Sequence, residues 1–295
     1  MIKIKELTKN YDDVRAVKSI SFDLEDAQIV GFLGANGAGK STTLKMITGY
    51  LAPTSGNVFV DGKNIIDDCI EIQKEIGYLP ELNPLYTEMR VYEYLEFLAG
   101  IRKIKGKEFK EALARVVEQC GLRGVVHKSI SDCSKGYKQR IGLAAAMIHD
   151  PKILILDEPV TGLDPNQIVE IRRLIKSLGK EKLVFMSSHI LQEIQATVDR
   201  IIIINNGNIV ANGTSDELMG DFMVQPVDND YVFVETREFK KTAYLRRLVG
   251  SYGGFTRIKP APEDTLMFVR VLLEDPYKYA KLFAVHYSCC AKCGA

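Results

Sequence analysis

The sequence is short of several things, and each shortage removes a class of function. It has no excess of either charge: 39 Lys and Arg against 38 Asp and Glu leave a net +1 over 295 residues. A chain so balanced has no general field to draw it to nucleic acid or anionic lipid, so no nucleic-acid partner is expected, although a local basic patch is not excluded. It has no apolar run approaching the about 20 residues that span a bilayer. Its start, MIKIKELTKNY, alternates Ile with Lys in the manner of an edge strand and lacks the apolar core and small-residue cleavage site of a signal peptide. A soluble or membrane-peripheral cytoplasmic protein is therefore expected. It also has no internal repeat and no low-complexity segment.

Cysteine is too sparse for a disulfide framework: six residues, at 69, 120, 133, 289, 290 and 293. The first three have no pairing logic and are expected as reduced thiols. The last three stand with His286 in the tail HYSCCAKCGA. Adjacent Cys289 and Cys290 strain a tetrahedral site, and no second Cys pair is near, so these are read as incidental or exposed thiols rather than zinc ligands.

What is present is an alternation of short apolar runs and amphipathic stretches. QIVGFL (28–33), KILILDEP (152–159) and KLVFMSS (182–188) read as buried strands, and each leads into a helical pattern. That order predicts an α/β domain with a largely parallel sheet covered on both faces. Residues 87–122 instead carry two amphipathic helices, VYEYLEFLAGI and KEFKEALARVVEQC, and no strand. They read as a helical subdomain inserted into the core. RIIIINNGNIVANG reads as a hairpin turning at Asn206-Gly207. Beyond about residue 220 the texture changes. YVFVE and TLMFVRVLL read as strands, FKKTAYLRRLV and the region of YKYAKLFAV as helices, and Gly253-Gly254 as a turn. The length suits one large α/β domain and a small α+β accessory domain.

Gly34-Ala35-Asn36-Gly37-Ala38-Gly39-Lys40-Ser41 fits the phosphate-loop pattern in full, between a strand and a helix. Its glycines let backbone N–H groups curl around phosphate oxygens; Lys40 would reach the β- and γ-phosphates and the Ser41 hydroxyl a Mg²⁺ ion. Asp157 and Glu158 close the apolar run ILIL. A carboxylate there can reach a metal beside the loop, so Asp157 is expected on the Mg²⁺ side and Glu158 on the attacking water. These residues predict an NTPase. A second anion site is implied by SDCSKGYKQRIGLAAAMI (131–148), where Ser134 and Gly136 head an apolar helix beside Lys135 and Lys138. Taken alone, Ser134 reads first as a plain N-cap; beside the other motifs the anion-binding reading leads.

Placed in order, SKGYK (134–138), LILDEP, TGLD (161–164) and SSH (187–189) follow the phosphate loop. This order resembles the nucleotide-binding subunits of ABC transporters over residues 1 to about 220. The resemblance implies a P-loop NTPase core of ABC type with an inserted helical subdomain at about 87–150, followed by an accessory domain over 221–295. Its usual signature loop is LSGGQ; here Cys133, Lys135 and Tyr137 depart from it, while Ser134 and Gly136 are retained. Two copies would then close head to tail around two ATP molecules, Ser134 and Gly136 completing the partner's site. The family also implies Tyr11 as the adenine platform, Asn36, Thr42 and the loop backbone as nucleotide contacts, His189 as the switch histidine on the γ-phosphate, and Asp164 at the dimer seam. A surface tyrosine and an N-cap are the plainer readings of Tyr11 and Asp164.

The segment IGYLPELNPLYTEMRVYEYLEF (76–97) speaks to partners. Most members place Gln after this proline; here it is Glu81, which can still reach Mg²⁺ or water but adds negative charge beside the phosphates. Pro-Glu followed by NPLY resembles the ABC-2-type exporters, and within them the gliding motility-associated ATPase subunits. The resemblance implies a membrane-spanning permease subunit docked near residues 81–97, with Leu85, Tyr86 and Met89 as an apolar floor, and a place on the cytoplasmic face of the inner membrane. Those three side chains would alternatively anchor the helical subdomain to the core. It also implies one more strand at the end of the accessory domain. The expected activity is ATP hydrolysis driving export. The competing readings are a soluble mechanical ABC ATPase, which would usually carry two cassettes or a long insertion, and a nonhydrolysing nucleotide-gated module, against which Glu158 stands. Neither the cargo nor the role of the tail is legible.

Overall fold

The computed structural model describes residues 1–214 and 217–218 together with four strands between 222 and 272. Two sheets and a helical layer make up the first 213 residues. A four-stranded antiparallel sheet runs in the order β2 (Val14–Leu24), β1 (Ile2–Tyr11), β4 (Ser55–Val60), β5 (Lys63–Asn64). The second sheet has the order β10 (Asn208–Gly213), β9 (Arg200–Asn205), β3 (Ile29–Leu33), β8 (Leu183–Ser188), β7 (Ile153–Leu156), β6 (Ile76–Leu79). All its neighbours are parallel except the hairpin β9–β10.

The central strands β3, β7 and β8 are buried along their whole length, as strands covered on both faces are. Their alternate side chains feed two cores. Phe32, Ile153, Ile155 and Phe185 face the antiparallel sheet, where Phe22, Phe32 and Phe185 stack with centroids 5.2–6.0 Å apart. Leu33, Leu154, Leu156, Val184 and Met186 face helices on the other side. Those helices are α3 (Val91–Ile101), α4 (Gly106–Gln119), α5 (Lys135–Met147) and α6 (Pro165–Leu178). Between the layers lie α1 (Lys40–Ile47) and α2 (Cys69–Glu75), and α7 (Leu191–Ile194) follows β8.

One expectation is corrected. MIKIKELTKNY is not an edge strand: β1 pairs with β2 on one side and β4 on the other. Its lysines point away from the core, so alternation reported which face was covered and nothing about which edges were paired. The hairpin turn is where the sequence placed it, with φ of 47° at Asn206 and 77° at Gly207, the pair of left-handed residues that a two-residue hairpin turn demands. Cys69, Cys120 and Cys133 are free.

The remaining strands, β11 (Phe222–Asp228), β12 (Tyr231–Thr236), β13 (Phe255–Pro260) and β14 (Met267–Leu272), form a separate antiparallel sheet in the order β11-β12-β14-β13. The strands expected at YVFVE and TLMFVRVLL are β12 and β14; β11 and β13 are additional. The helices expected near FKKTAYLRRLV and YKYAKLFAV, the Gly253-Gly254 turn and the Cys289–Cys293 cluster lie outside the described residues. Among the described residues no helix is long and apolar enough to cross a membrane.

Candidate functional site

The loop Gly34–Gly39 leaves β3 at the carboxyl edge of the parallel sheet and enters α1 at Lys40. It is fixed at both ends by backbone hydrogen bonds, Gly34 N to Ser188 O at 3.2 Å and Gly207 N to Ala38 O at 3.0 Å. Gly39 has φ 107°, and a Cβ there would sit 2.7 Å from Ala16 O, so only glycine lets the chain turn into the helix at this point. Ala35, Asn36 and Gly37 are exposed, while Ser41 and Thr42 are half-buried in the first turn of α1. The loop is an open cradle of backbone amides at a helix N-terminus, the geometry that receives phosphate.

Lys40 is 5% exposed. Its ammonium donates to Gly34 O at 2.9 Å and Ala35 O at 3.3 Å, and pairs with Glu158 Oε1 at 3.3 Å. Glu158, also 5% exposed, is the hub of the site. Its Oε2 accepts from Thr161 Oγ1 at 3.0 Å and lies 2.9 Å from His189 Nδ1. Its backbone has φ 51°, a region that costs a non-glycine residue of order 1–3 kcal/mol and persists only when surroundings enforce it.

Part of that enforcement comes from Ser187, whose hydroxyl accepts the Glu158 N–H at 2.9 Å and donates to Asp157 Oδ1 at 2.6 Å. Asp157 is 1% exposed, and its N–H donates to Leu79 O at 2.8 Å across to β6. Thus β3, β6, β7 and β8 each deliver a piece of the site from the same edge of the sheet.

Glu81 stands two residues beyond Leu79, exposed. The neighbouring Tyr78 hydroxyl is buried without a partner. Its ionisation is pushed up first by burial and then by Asp157, Tyr50 and Glu81, so the acidic side of the site reaches this ring. Tyr11 lies at the end of β1, 44% exposed, with the Lys9 ammonium 5.4 Å from its ring centroid. Its hairpin partner β2 abuts the loop through Ala16 and Val17.

Ser134, Gly136 and Asp164 gather elsewhere. Ser134 caps α5 and accepts from Tyr137 N at 3.4 Å; Asp164 caps α6 and accepts from Gln167 N at 2.9 Å. Gly136 is buried under the Gln167 side chain, so the two caps share a corner. Among the described residues no hydrogen bond or ion pair joins Ser134, Gly136 or Asp164 to the Gly34–Ser41 loop. The capping reading of Ser134 and Asp164 holds within one chain, and Ser134 Oγ, on an exposed residue, has a free face.

The residues that the sequence reading missed are Ser187 and Thr161. Their motifs, SSH and TGLD, were visible. A hydroxyl's partner depends on which way strand β8 presents it and on the tight turn from Glu158 to Thr161, closed by Thr161 N to Glu158 O at 3.2 Å. Spacing alone carries neither.

Residues 17–161 match the family model described as ABC transporter. The chain is 41% identical over 220 residues to the bacitracin transport ATP-binding protein of Bacillus licheniformis, covering 74% of this chain and 71% of that protein. It is 38% identical over 218 residues to an uncharacterized ABC transporter ATP-binding protein of Bacillus subtilis (strain 168), covering 74% and 72%. The chain belongs to the ABC transporter ATP-binding family.

The fold agrees. The ATP-binding subunit of an ABC transporter superposes with TM-score 0.67 at 28% identity, over 74% of this chain and 91% of that one. A cassette solved as a post-hydrolysis dimer bound to ADP and Pi superposes with TM-score 0.67 at 25% identity, over 72% and 98%. This ABC protein is accordingly an ATP-binding subunit and an ATPase, homologous to transporter ATP-binding proteins, with the P-loop α/β core expected of it. Cassettes of the family dimerise and work with membrane subunits.

Proposed function

We propose that this chain is the ATPase of an ABC-2-type exporter, and that the cluster of Lys40, Asp157, Glu158 and His189 at the foot of the Gly34–Ser41 loop carries its hydrolysis. The residues fit ATP with Mg²⁺. The loop offers exposed amides, and the hydroxyl of Ser41 with the carboxylate of Asp157 is the hard-oxygen pair that a magnesium ion takes alongside phosphate. The ion, when bound, neutralises charge on the β- and γ-phosphates. Lys40, at present held by Glu158 and two loop carbonyls, has the reach and charge to exchange those partners for phosphate oxygens. That exchange frees the Glu158 carboxylate to polarise a water, with His189 on its other oxygen and Thr161 holding its direction.

Asn36, Thr42 and the amides of Gly37, Ala38 and Gly39 line the phosphate side, and Tyr11 with the β1–β2 hairpin offers the adenine a flat face. Glu81 extends the acidic side toward water and metal. The separate corner of Ser134, Gly136 and Asp164 completes the site of a second copy, so that two chains close around two ATP. This gives a ligand to an exposed serine hydroxyl, the N-terminus of α5 and the nearby Lys135, none of which bonds the chain's own phosphate loop among the described residues.

The membrane partner docks on a groove of about 470 Å³ lined by Leu85, Tyr86, Thr87, Glu88, Met89 and Phe97. Leu85 and Met89 also pack on the helical core, so they serve both roles considered for them, whereas Tyr86 is 56% and Phe97 43% exposed. Residues 1–220 form the ATP-binding domain and 221–295 the accessory domain. The place of action is the cytoplasmic face of the membrane, and the Pro-Glu-Leu-Asn-Pro-Leu-Tyr run supports a kinship with the gliding motility-associated branch. Affinity purification of the chain from gently solubilised membranes, with partners identified by mass spectrometry, tests this. A multi-helix membrane protein in roughly equal amount is expected. Recovery from the soluble fraction alone, with ribosomes, nucleic acid or nothing bound, would leave an ATPase without transport.

A further inference from the structure

Helix α5 has a notch in it. Gly142 lies in its buried middle, and a Cβ there would meet the amide of Asn83 at 2.0–2.8 Å. The Asn83 side chain fills the space that a methyl group would occupy, and its Nδ2 donates to Lys138 O at 3.0 Å. Lys138 N in turn donates to Ser134 O at 2.9 Å. A continuous column of hydrogen bonds therefore runs from Asn83 through Lys138 to Ser134, the exposed N-cap of the same helix.

The other end of the contact is the loop after β6. Leu85 N donates to Asn83 O at 3.0 Å and Met89 N to Tyr86 O at 3.0 Å, so residues 83–85 and 86–89 form two successive tight turns. The exposed Glu81 stands just before this loop, between it and β6, and the loop itself carries the groove residues Leu85, Tyr86 and Met89. A glycine in a helix interior weakens it relative to alanine. Here the penalty coincides with a side chain from another segment seated in the gap.

We infer that Asn83 is a positioning residue: it locks loop 83–89 to α5 and so sets where Ser134 stands. The role rests on the ATP-sandwich reading of Ser134. The loop and the helix shift as one body because the amide cannot leave the notch without giving up its bond to Lys138 O. Whatever moves the groove or Glu81 thereby moves the signature corner.

The test uses the full chain carrying Glu158→Gln, which slows hydrolysis so that dimers accumulate. Three quantities are measured: the ATP concentration at half-dimerisation by light scattering, nucleotide affinity of the dilute monomer, and Tm. Asn83→Ala and Gly142→Ala are each expected to raise the half-dimerisation concentration by about tenfold, within the usual range of coupling between sites. Monomer affinity is expected to stay unchanged. In Asn83→Ala/Gly142→Ala the new methyl fills the empty notch. Its Tm should equal or exceed the parent's, while its dimerisation stays as poor as in either single variant. Parental dimerisation in Asn83→Ala, or recovery of dimerisation along with Tm in the double variant, overturns the inference and leaves only a packing role. Ser134→Ala separates the two readings. If it weakens dimerisation and Asn83→Ala does not, only the positioning role falls; if Ser134→Ala has no effect, the sandwich reading falls and takes this inference with it.

Discussion

Replacing Ser187 by alanine removes one oxygen atom from beneath the site, and the structure sets the size of the effect. That hydroxyl belongs to a residue with 0% exposure, donates to the Asp157 carboxylate at 2.6 Å and accepts the Glu158 N–H at 2.9 Å. A hydrogen bond to a charged group is worth about 1.5–3 kcal/mol, and a stranded buried amide costs about 1–3 kcal/mol. The two bonds share an atom and relax together, so a loss of about 3 kcal/mol is expected rather than the sum of the extremes. At about 2–4 °C per kcal/mol for a domain of this size, Ser187→Ala should melt roughly 6–12 °C below the parent.

The chemical effect follows from the backbone of Glu158. Its φ of 51° is held in part by the Ser187 bond. Once released, the carboxylate drifts from the position where it can polarise water, and a displacement near 1 Å costs about 100-fold in turnover. The phosphate loop is untouched, so nucleotide affinity should change by less than about threefold. Differential scanning fluorimetry, phosphate release and a nucleotide titration at matched temperature give the three numbers. A variant that melts within a degree of the parent and turns over normally would refute the view that Ser187 ties the two carboxylates together.

Three further outcomes are expected. Gly39→Ala places a methyl group 2.7 Å from Ala16 O at φ 107°, and the displaced loop should bind ATP about 100-fold more weakly by calorimetry, since strain of this kind amounts to about 1–3 kcal/mol and tenfold in affinity to about 1.4 kcal/mol. His149 donates Nε2–H to Ile76 O at 3.2 Å, and burial, helped by Arg102, pushes its pKa down from 6.5 to about 4. Between those values the unfolded chain holds the extra proton, so this stabilisation is complete above about pH 6.5 and is lost as pH falls toward 4; after screening it amounts to roughly 1–2 kcal/mol. Urea midpoints from pH 7.5 down should show a shallower acid decline for His149→Gln, which keeps a donor for Ile76 O but cannot titrate. Tyr86→Ala removes a 56% exposed ring that stands edge-on to Phe97 at 5.7 Å; Tm should hold within about 2 °C while recovery of the membrane subunit falls by about tenfold, as for loss of an interface aromatic.

The sequence by itself determined the strands that build the parallel sheet, because a strand covered on both faces is a near-continuous apolar run, and ILIL and the LVFM that opens LVFMSS are such runs. It also determined the phosphate loop, since a glycine-rich turn between a buried strand and an amphipathic helix allows few other structures, and the caps at Ser134 and Asp164, which are local chemistry. The tertiary structure alone decided that MIKIKELTKNY lies inside its sheet, because strand order depends on contacts between segments far apart in the chain. It decided that Ser187 and Thr161 hold the carboxylates, because the direction of a hydroxyl is set by neighbouring strands and turns. It decided, too, that Asn83 fills the gap at Gly142: 59 positions separate them, and only the packing of a loop against a helix gives that pair a meaning.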